Sequence, residues 1–204
     1  MELQDAISGR HMVRTFSSRQ VDPATVDRLC DLARRGPSAG NSQGLDLMVL
    51  DRRDTVARYW DATLAPHRRA TFAWPGLVAA PVLVLVTVRP SSYVERYAEA
   101  DKVAAGLGVD ASAWPVPYWW VDAGAAAEHL LLGAVDAGLG ACLFGAFEHE
   151  AKVTLEFGIP TDHRLVATIA LGHLPSGTDA NSKKGRSASR PRKPFAEVVH
   201  RNGW

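Results

Sequence analysis

The chain has 204 residues, of which 47% are hydrophobic and 22% are charged, a composition typical of an ordinary globular domain. Its 23 basic and 22 acidic residues leave a net charge of +1, which argues against nucleic acid or a membrane surface as a partner. The longest apolar run, residues 77–88, is shorter than the ~20 residues that a bilayer-spanning helix needs. The length of the chain suits one domain, which we predict over residues 1–204. The N-terminus lacks the apolar core of a signal peptide, so we predict a cytoplasmic protein.

Periodicity and turn residues predict five elements in the first half of the chain: helices at 2–8, from Pro23 to Gly36 and at 54–65, and strands at 45–50 and 82–88. The second helix has Asp22 at its N-cap and proline at its first position. Residues 82–88 (VLVLVTV) are apolar at both even and odd positions, which predicts a central strand covered on both faces.

The second half begins with residues 89–120, where charge, glycine and proline predict a lid or surface excursion. The elements predicted beyond it are a buried helix capped by Asp122 and ending near Ala137, a strand at 141–144, a helix at 148–157 and a strand at 165–171. Residues 173–193 are polar and basic and predict a surface arm. Residues 194–204 then form a short apolar tail that needs a surface to dock on. Strands and helices do not alternate regularly, which favours a mixed sheet in an α+β layer fold.

The loop at residues 35–44 holds three glycines, a proline and four small polar residues between a helix and a strand. It contains Gly36-Pro37-Ser38-Ala39-Gly40, the G-x-S-x-G of serine hydrolases, so Ser38 is one candidate nucleophile. In a nucleophile elbow, however, the serine follows a strand and opens a helix, whereas here a helix enters and a strand leaves. The hydrolase alternative is therefore remote.

Two basic clusters lie near the chain ends. One holds Arg10, His11 and Arg14, and the other Arg190, Arg192 and Lys193. Two or three converging arginines suffice to bind a phosphate monoester, provided that the fold brings the ends together. The spacings of zinc ligands are absent, and Gly138 and Gly140 end a helix instead of opening one, which argues against a dinucleotide fingerprint.

Five motifs in order resemble the FMN-dependent nitroreductase family over nearly the whole chain. They are Arg10-His11-x-x-Arg14-x-Phe16, Pro37-Ser38-Ala39-Gly40-Asn41-Ser42-Gln43, Gly138-Leu139-Gly140-Ala141-Cys142, Phe144-Gly145, and Arg192-Lys193-Pro194 with Glu197-Val198-Val199. The resemblance implies a three-layer α+β fold with a mixed, mainly antiparallel sheet. It also implies an intertwined homodimer that binds two FMN molecules at the subunit interface.

The resemblance also implies site residues. The phosphate and ribityl chain would be bound by Arg10, His11, Met12, Arg14, Arg190 and Arg192. The partner subunit's flavin would be reached by Pro37, Ser38, Ala39, Asn41 and Gln43. The isoalloxazine ring would lie along Leu143, Phe144 and Gly145. Met12 stands where a serine is common, and the basic residue near the flavin pyrimidine has no certain match, with Arg68 and Arg69 as candidates.

The implied mechanism is ping-pong hydride transfer from NAD(P)H through flavin N5 to a nitroaromatic, quinone or similar acceptor, with no catalytic side chain. Tyr118, Trp119, Trp120 and Phe147 are candidates for the substrate pocket, although core or interface packing explains each aromatic equally well. A flavin-dependent dehydrogenase or oxidase of a specific metabolite, and a non-catalytic flavin-binding protein, remain alternatives.

Overall fold

Four antiparallel strands form the centre of the computed structural model, which describes residues 1–176 and 189–204. The strands are β1 (Leu45–Leu50), β2 (Val82–Val88), β3 (Gly140–Phe144) and β4 (Arg164–Gly172), in the order β1-β2-β4-β3. The register pairs Leu45 with Val88 and Val82 with Leu171. A single parallel bridge joins Met12 to Ala141 at the β3 edge.

Helices cover both faces of this sheet, as the α+β prediction required. They are α1 (Leu3–Gly9), α2 (Pro23–Ala33), α3 (Arg53–Thr63), α4 (Pro66–Arg69), α5 (Pro90–Tyr97), α6 (Tyr118–Asp136) and α7 (Glu150–Phe157). Residues of α2 and α6 pack in the core on one face, and residues of α3 and α7 pack in the core on the other. Among the described residues, no helix combines the length and hydrophobicity that crossing a membrane requires.

Strand β2 connects the two cores through its alternating side chains. Val82, Val84, Val86 and Val88 belong to the α2–α6 core, whereas Leu83 and Leu85 belong to the α3–α7 core. Every residue of β2 is buried. The prediction of a central strand over residues 82–88 is confirmed, because only a strand covered on both sides can be apolar at odd and even positions.

The helix predicted to begin at Asp122 begins instead at Tyr118, directly after Pro117. Proline cannot lie inside a helix, so the two prolines at 115 and 117 fix the start. Asp122 is therefore an internal residue of α6, and it is buried, with 8% of its surface exposed. The prediction that Asp122 caps this helix was wrong.

Residues 89–120 were predicted to be a lid or surface excursion, and this was wrong for the parts around Tyr93 and residues 114–119, which reach into the core, whereas residues 98–113 are mostly exposed. Tyr93 of α5 is fully buried and packs edge-on against Trp114 and Trp119, which are also buried. The Trp114 indole N–H donates to Leu107 O (2.9 Å). These large aromatic side chains bury the apolar surface that regularly spaced aliphatic residues bury in the other elements.

The predicted arm at 173–193 lies largely outside the described residues, which omit 177–188. Residues 189–204 are described and exposed throughout. The apolar side chains of this tail, including Phe195, Val198 and Trp204, have most of their surface exposed. Within the described chain, the tail therefore buries none of its large apolar side chains.

Candidate functional site

The segment that carries Arg10, Met12 and Arg14 runs along the outer edge of β3. The Val13 amide donates to Ala141 O (2.8 Å), and the Leu143 amide faces Met12 Sδ at 3.3 Å. A Cβ on Gly140 would lie 2.8 Å from Val13, so the segment can approach this closely only because residue 140 is glycine. Two of the predicted motifs, far apart in sequence, thus lie side by side.

A cavity of about 390 Å³ opens between this segment, the end of β3 and helix α3. We call it the aromatic cavity. It is lined by Arg14, Tyr59, Trp60, Thr63, Leu64, Phe72, Trp74, Leu77, Cys142, Leu143, Phe144, Gly145, Ala146, Phe147, Glu148 and His149. Its volume falls in the range of small-molecule sites, which are typically apolar with a few placed polar groups.

Arg14 is the one Lys or Arg among the residues that line the aromatic cavity. Its guanidinium lies over the Trp74 ring, 4.9 Å from the ring centroid, and Nη1 donates to Met12 O (3.3 Å). No carboxylate of the described residues forms an ion pair with Arg14. Its charge is therefore available to an anionic or electron-rich group that enters the cavity.

The inner wall of the aromatic cavity is formed by ordered rings. Phe144 stacks on Trp60 with ring centroids 5.8 Å apart, and Tyr59 meets Phe144 edge-on. The Tyr59 hydroxyl shares a hydrogen bond of 2.9 Å with Thr168 Oγ1. These contacts fix the orientation of Phe144, one of the residues predicted to lie along a flavin ring.

The titratable groups in this wall are held in their neutral forms. Burial raises the pKa of Tyr59 to about 12, against a weaker opposing effect of its bond to Thr168. Burial also raises the pKa of the Cys142 thiol, and nearby Arg14 only partly offsets this rise. A protonated thiol is a poor nucleophile, so the cavity is suited to binding rather than to nucleophilic chemistry.

The 37–43 loop is tightly constrained. Gly40, Asn41 and Gln43 all have left-handed backbone angles, with φ of 61°, 57° and 51°. The Asn41 amide donates to Ser38 O (2.8 Å), and the Ser42 hydroxyl donates to Ala39 O (2.6 Å). Asn41 and Gln43 are exposed, and no hydrogen bond to their side-chain amides is formed within residues 1–176 and 189–204.

Ser38 has a structural role in this loop. Its Oγ accepts the Gln43 amide (2.9 Å). Each histidine that forms a side-chain hydrogen bond in the described ranges does so with a group other than Ser38. The hydrolase alternative therefore lacks its general base.

The loop and the aromatic cavity lie on opposite faces of the sheet. The loop contacts Tyr93 and Asp122, which are on the α2–α6 side, whereas the cavity is built from the α3–α7 core. No residue of the 37–43 loop lines the aromatic cavity. One protomer thus presents the two predicted halves of the site in different places.

The remaining predicted phosphate ligands are not assembled within one protomer. Arg10 forms an ion pair with Glu128 (3.3 Å), and the exposed His11 ring is hydrogen bonded through Nδ1 to Gly9 O (2.9 Å). Arg190 and Arg192 are exposed on the tail, without an ion pair to the part of the chain that the structure describes. Of the predicted phosphate and ribityl ligands, only Arg14 lines the aromatic cavity.

The four predicted substrate-pocket aromatics are in different environments. Phe147 lines the aromatic cavity with 82% of its surface exposed and an unusual φ of 47°. Trp119 is buried in the core beside Tyr93, the alternative already considered for each aromatic. Trp120 lies over Arg164 at 5.8 Å, and Tyr118 is half-exposed against Trp114. Only Phe147 is brought to the cavity within one protomer.

Several cavity residues were missed by sequence reasoning. Trp60 and Tyr59 were assigned only to the apolar side of a helix, and Phe72 and Trp74 to no element at all. The density of aromatics from residue 59 to 74 was the available signal. Arg69 forms an ion pair with Asp61 and lines a different cavity, and Arg68 does not line the aromatic cavity either.

Comparisons with known proteins agree with this geometry. A sequence model of the nitroreductase family matches residues 7–173. A 4-nitrobenzoate reductase of Nocardioides sp. (strain LMS-CY) is 31% identical over 201 residues, covering 85% of this chain and 81% of that protein. An Archaeoglobus fulgidus protein provisionally named NADH dehydrogenase/NAD(P)H nitroreductase is 24% identical, covering 96% of this chain and 94% of its own.

The fold itself is found in solved structures. An FMN-dependent nitroreductase from Clostridium difficile R20291 shares it, with a TM-score of 0.66 at 16% identity over 98% of this chain and 99% of that chain. The family model and the 31% identical relative show a flavin-dependent oxidoreductase. The chain belongs to the nitroreductase family, whose members bind flavin and are usually dimers.

Proposed function

We propose that this protein is an NAD(P)H-dependent FMN oxidoreductase that reduces a nitroaromatic, quinone or similar acceptor. The observation that carries the proposal is the aromatic cavity, where Arg14 meets the end of β3. The relative named 4-nitrobenzoate reductase supports a nitroaromatic acceptor, and the relative named for NAD(P)H supports the hydride donor.

The residues of the aromatic cavity fit a flavin ring. An isoalloxazine is flat, aromatic and electron-rich at its pyrimidine edge, and the cavity offers ring faces together with one half-buried guanidinium. Tyr59 and Cys142 are neutral and add no negative charge to the cavity, so Glu148 is the one carboxylate among its lining residues. Because Arg14 is the cation that lines the cavity, we propose it, and neither Arg68 nor Arg69, as the basic residue nearest the pyrimidine.

We assign the other ligands as the family resemblance suggests. The phosphate and ribityl chain would be held by Arg10, His11, Met12, Arg14, Arg190 and Arg192, and the ring by Leu143, Phe144 and Gly145. The loop residues Pro37, Ser38, Ala39, Asn41 and Gln43 would reach the flavin of the partner subunit. Met12 contributes through its backbone and its sulfur, since Sδ already faces the Leu143 amide.

When bound, FMN would supply the hydride chemistry of a ping-pong exchange between NAD(P)H and the acceptor. The chain supplies orientation and electrostatics. Arg14 favours negative charge at the adjoining edge of the cavity. Stacked Phe144 and Trp60 exclude water from the inner wall, and exposed Phe147 offers a ring to an aromatic substrate.

A homodimer follows from the same surfaces. The exposed apolar tail needs a partner surface, and the 37–43 loop is too far around the sheet to reach its own aromatic cavity. Strand β1 also has a free edge, since among the described strands it pairs only with β2. A second copy of the chain is therefore the proposed partner that completes two equivalent sites.

Flavin binding is tested first. The purified protein should be yellow, or become so with FMN, and should elute with the molar mass of a dimer in light scattering. Rapid anaerobic bleaching by NADH or NADPH, followed by reoxidation with a nitroaromatic or a quinone, is the expected result. A colourless protein that is not stabilised by FMN would contradict the proposal.

The same experiment separates the alternatives. A flavin that NAD(P)H fails to reduce but a metabolite reduces would indicate a dehydrogenase or oxidase. A flavin that no donor reduces would indicate a non-catalytic flavin-binding protein. The variant Ser38→Ala should leave the rate of ester hydrolysis at background, because the Ser38 hydroxyl oxygen accepts the Gln43 amide and no histidine of the described residues hydrogen bonds to it.

A further inference from the structure

The backbone conformation of the 37–43 loop needs contacts from the rest of the fold to stabilise it. Three of its last four residues, Gly40, Asn41 and Gln43, are left-handed, and two of these carry side chains. Left-handed non-glycine residues are uncommon and persist only when surrounding contacts fix them. The loop's internal hydrogen bonds connect its residues to one another but do not attach the loop to the fold.

A buried carboxylate attaches the loop to helix α6. Asp122 Oδ2 accepts hydrogen bonds from the Ala39 amide (2.9 Å) and from the Tyr93 hydroxyl (2.8 Å). Ala39 and Asp122 are 83 positions apart in the sequence. Tyr93 is fully buried. Asp122 of α6 thus connects Tyr93 of α5 to Ala39 of the loop.

The carboxylate has no other evident task. Helix α6 is otherwise apolar on its buried side, and an aspartate there is costly unless donors satisfy it. Burial and the neighbouring carboxylate raise the pKa of Tyr93, so its hydroxyl keeps its proton and donates. A second contact supports the same loop from α5, where Arg96 Nε donates to Gly40 O (2.8 Å).

We propose that Asp122 is a positioning residue for flavin binding: it fixes Ala39 so that the loop offers the Asn41 and Gln43 amides to the flavin of the partner subunit. This inference rests on the proposed function. Pre-organisation is the physical reason, because a loop already held in its bound conformation loses less entropy when the ligand binds. Asp122 itself is buried and acts only through the loop.

The test compares FMN binding with stability in four variants of the full-length dimer. Asp122→Leu removes both acceptor contacts at similar volume, whereas Asp122→Asn keeps one carbonyl oxygen for the Ala39 amide. Tyr93→Phe removes only the hydroxyl. Leu130→Ala is the control, since Leu130 lies fully buried on the same helix, two turns beyond Asp122 and far from the loop.

The readouts are the FMN dissociation constant, from flavin fluorescence, and the melting temperature of the apoprotein. We expect Asp122→Leu to raise the dissociation constant about 10- to 100-fold, the effect of losing hydrogen bonds to a charged group. Asp122→Asn should recover most of the affinity, and Tyr93→Phe should fall between them. Leu130→Ala should lower the melting temperature while leaving FMN affinity within about twofold of wild type.

Wild-type affinity in Asp122→Leu, or an equal loss of affinity in Leu130→Ala, would overturn the inference, because Asp122 would then serve stability alone. If Asp122→Leu fails to fold, Tyr93→Phe decides: unchanged FMN affinity there contradicts the proposed role. A wild-type protein that binds no FMN would refute the proposed function itself, a result that is read before any variant is compared.

Discussion

At the scale of single residues, Arg14 and Arg10 differ in the contacts that their guanidinium groups make. The Arg14 guanidinium is half-buried, rests on the face of Trp74 and donates to Met12 O, and it forms no ion pair with a carboxylate of residues 1–176 or 189–204. Arg10, four residues earlier, is instead paired with Glu128. Two arginines of one motif therefore differ in how freely their charge can act on a bound anion or ring.

We expect Arg14→Ala to weaken FMN binding about 10- to 100-fold, because a charge-assisted contact and the packing on Trp74 are both lost. Arg14→Lys should keep part of the affinity, since lysine retains the charge but not the planar guanidinium. Flavin fluorescence titration measures both. Arg52→Ala, at an exposed arginine paired with Asp54, is the control and should bind FMN like wild type. Unchanged affinity in Arg14→Ala would remove Arg14 from the site.

Phe147 is the second residue whose environment indicates function. It is a bulky aromatic with positive φ, largely exposed, and its ring lies close to Gly145. Such a conformation is rare for a large side chain and is found where ligands bind. We infer that its ring is held at the mouth of the aromatic cavity for contact with substrate.

The variant Phe147→Ala should raise KM for an aromatic acceptor several-fold, about 1 kcal/mol of lost stacking, while leaving the rate of flavin reduction by NAD(P)H nearly unchanged. Steady-state kinetics and anaerobic stopped-flow absorbance separate the two quantities. Leu155→Ala, at another exposed apolar side chain, on α7, serves as the control. An unchanged KM in Phe147→Ala would indicate that the exposed ring serves the dimer interface instead.

At the scale of elements, the side chain of Glu150 links helix α7 to strand β4. Glu150 accepts Arg164 Nε (2.8 Å) and Nη2 (3.1 Å), and also the Leu165 amide (3.1 Å). The Arg164 guanidinium and the Leu165 amide hold the pKa of this carboxyl below its usual value. The link lies beside the Phe147–His149 turn, so it also anchors one wall of the aromatic cavity.

A lowered pKa in the folded state means that the ionised Glu150 stabilises the fold. This contribution is complete above the ordinary glutamate pKa and disappears as the pH falls through the lowered value. We expect Glu150→Gln to reduce the free energy of unfolding by roughly 1 kcal/mol at neutral pH, since the pair is partly exposed. The difference from wild type should vanish in acid.

Urea denaturation at neutral and acidic pH measures this difference. Glu156→Gln, which removes a surface charge paired with Arg58, is the control and should show a smaller effect. A Glu150→Gln deficit that persists in acid would show that shape or packing, not charge, is responsible.

At the scale of the whole molecule, the two groups of predicted site residues lie on opposite faces of the sheet of one protomer. The aromatic cavity with Arg14 is on the α3–α7 side, and the 37–43 loop is on the α2–α6 side. In a twofold dimer of the proposed kind, each flavin would use the cavity of one subunit and the loop of the other. A site shared between subunits predicts that two differently defective chains can restore one site in a mixed dimer, whereas a site within one subunit does not.

Co-expression of two defective chains should restore one site in the mixed dimer. One chain carries Arg14→Ala, and the other carries Asn41→Ala with Gln43→Ala. In the heterodimer, the intact Arg14 of the second chain meets the intact loop of the first, so about one flavin per dimer should bind tightly. The two defective homodimers, purified in parallel with distinct tags, are the controls. A heterodimer that binds no better than either homodimer would contradict the shared site.

Part of the fold and the family could be predicted from the sequence alone. The apolar run of β2 and the proline at the start of α2 act within a few residues, so these elements could be predicted from the sequence, and the five motifs in order predicted the family. The same patterns favoured a mixed sheet, whereas the four strands are all antiparallel. Only the tertiary structure decided that Trp60, Phe72 and Trp74 meet in one cavity, or that Asp122 holds Ala39. These contacts join residues that are far apart in the sequence, so no local periodicity predicts them. The sequence around Asp122 is equally compatible with a helix cap and with a buried aspartate, and only its contact with the Ala39 amide distinguishes the two.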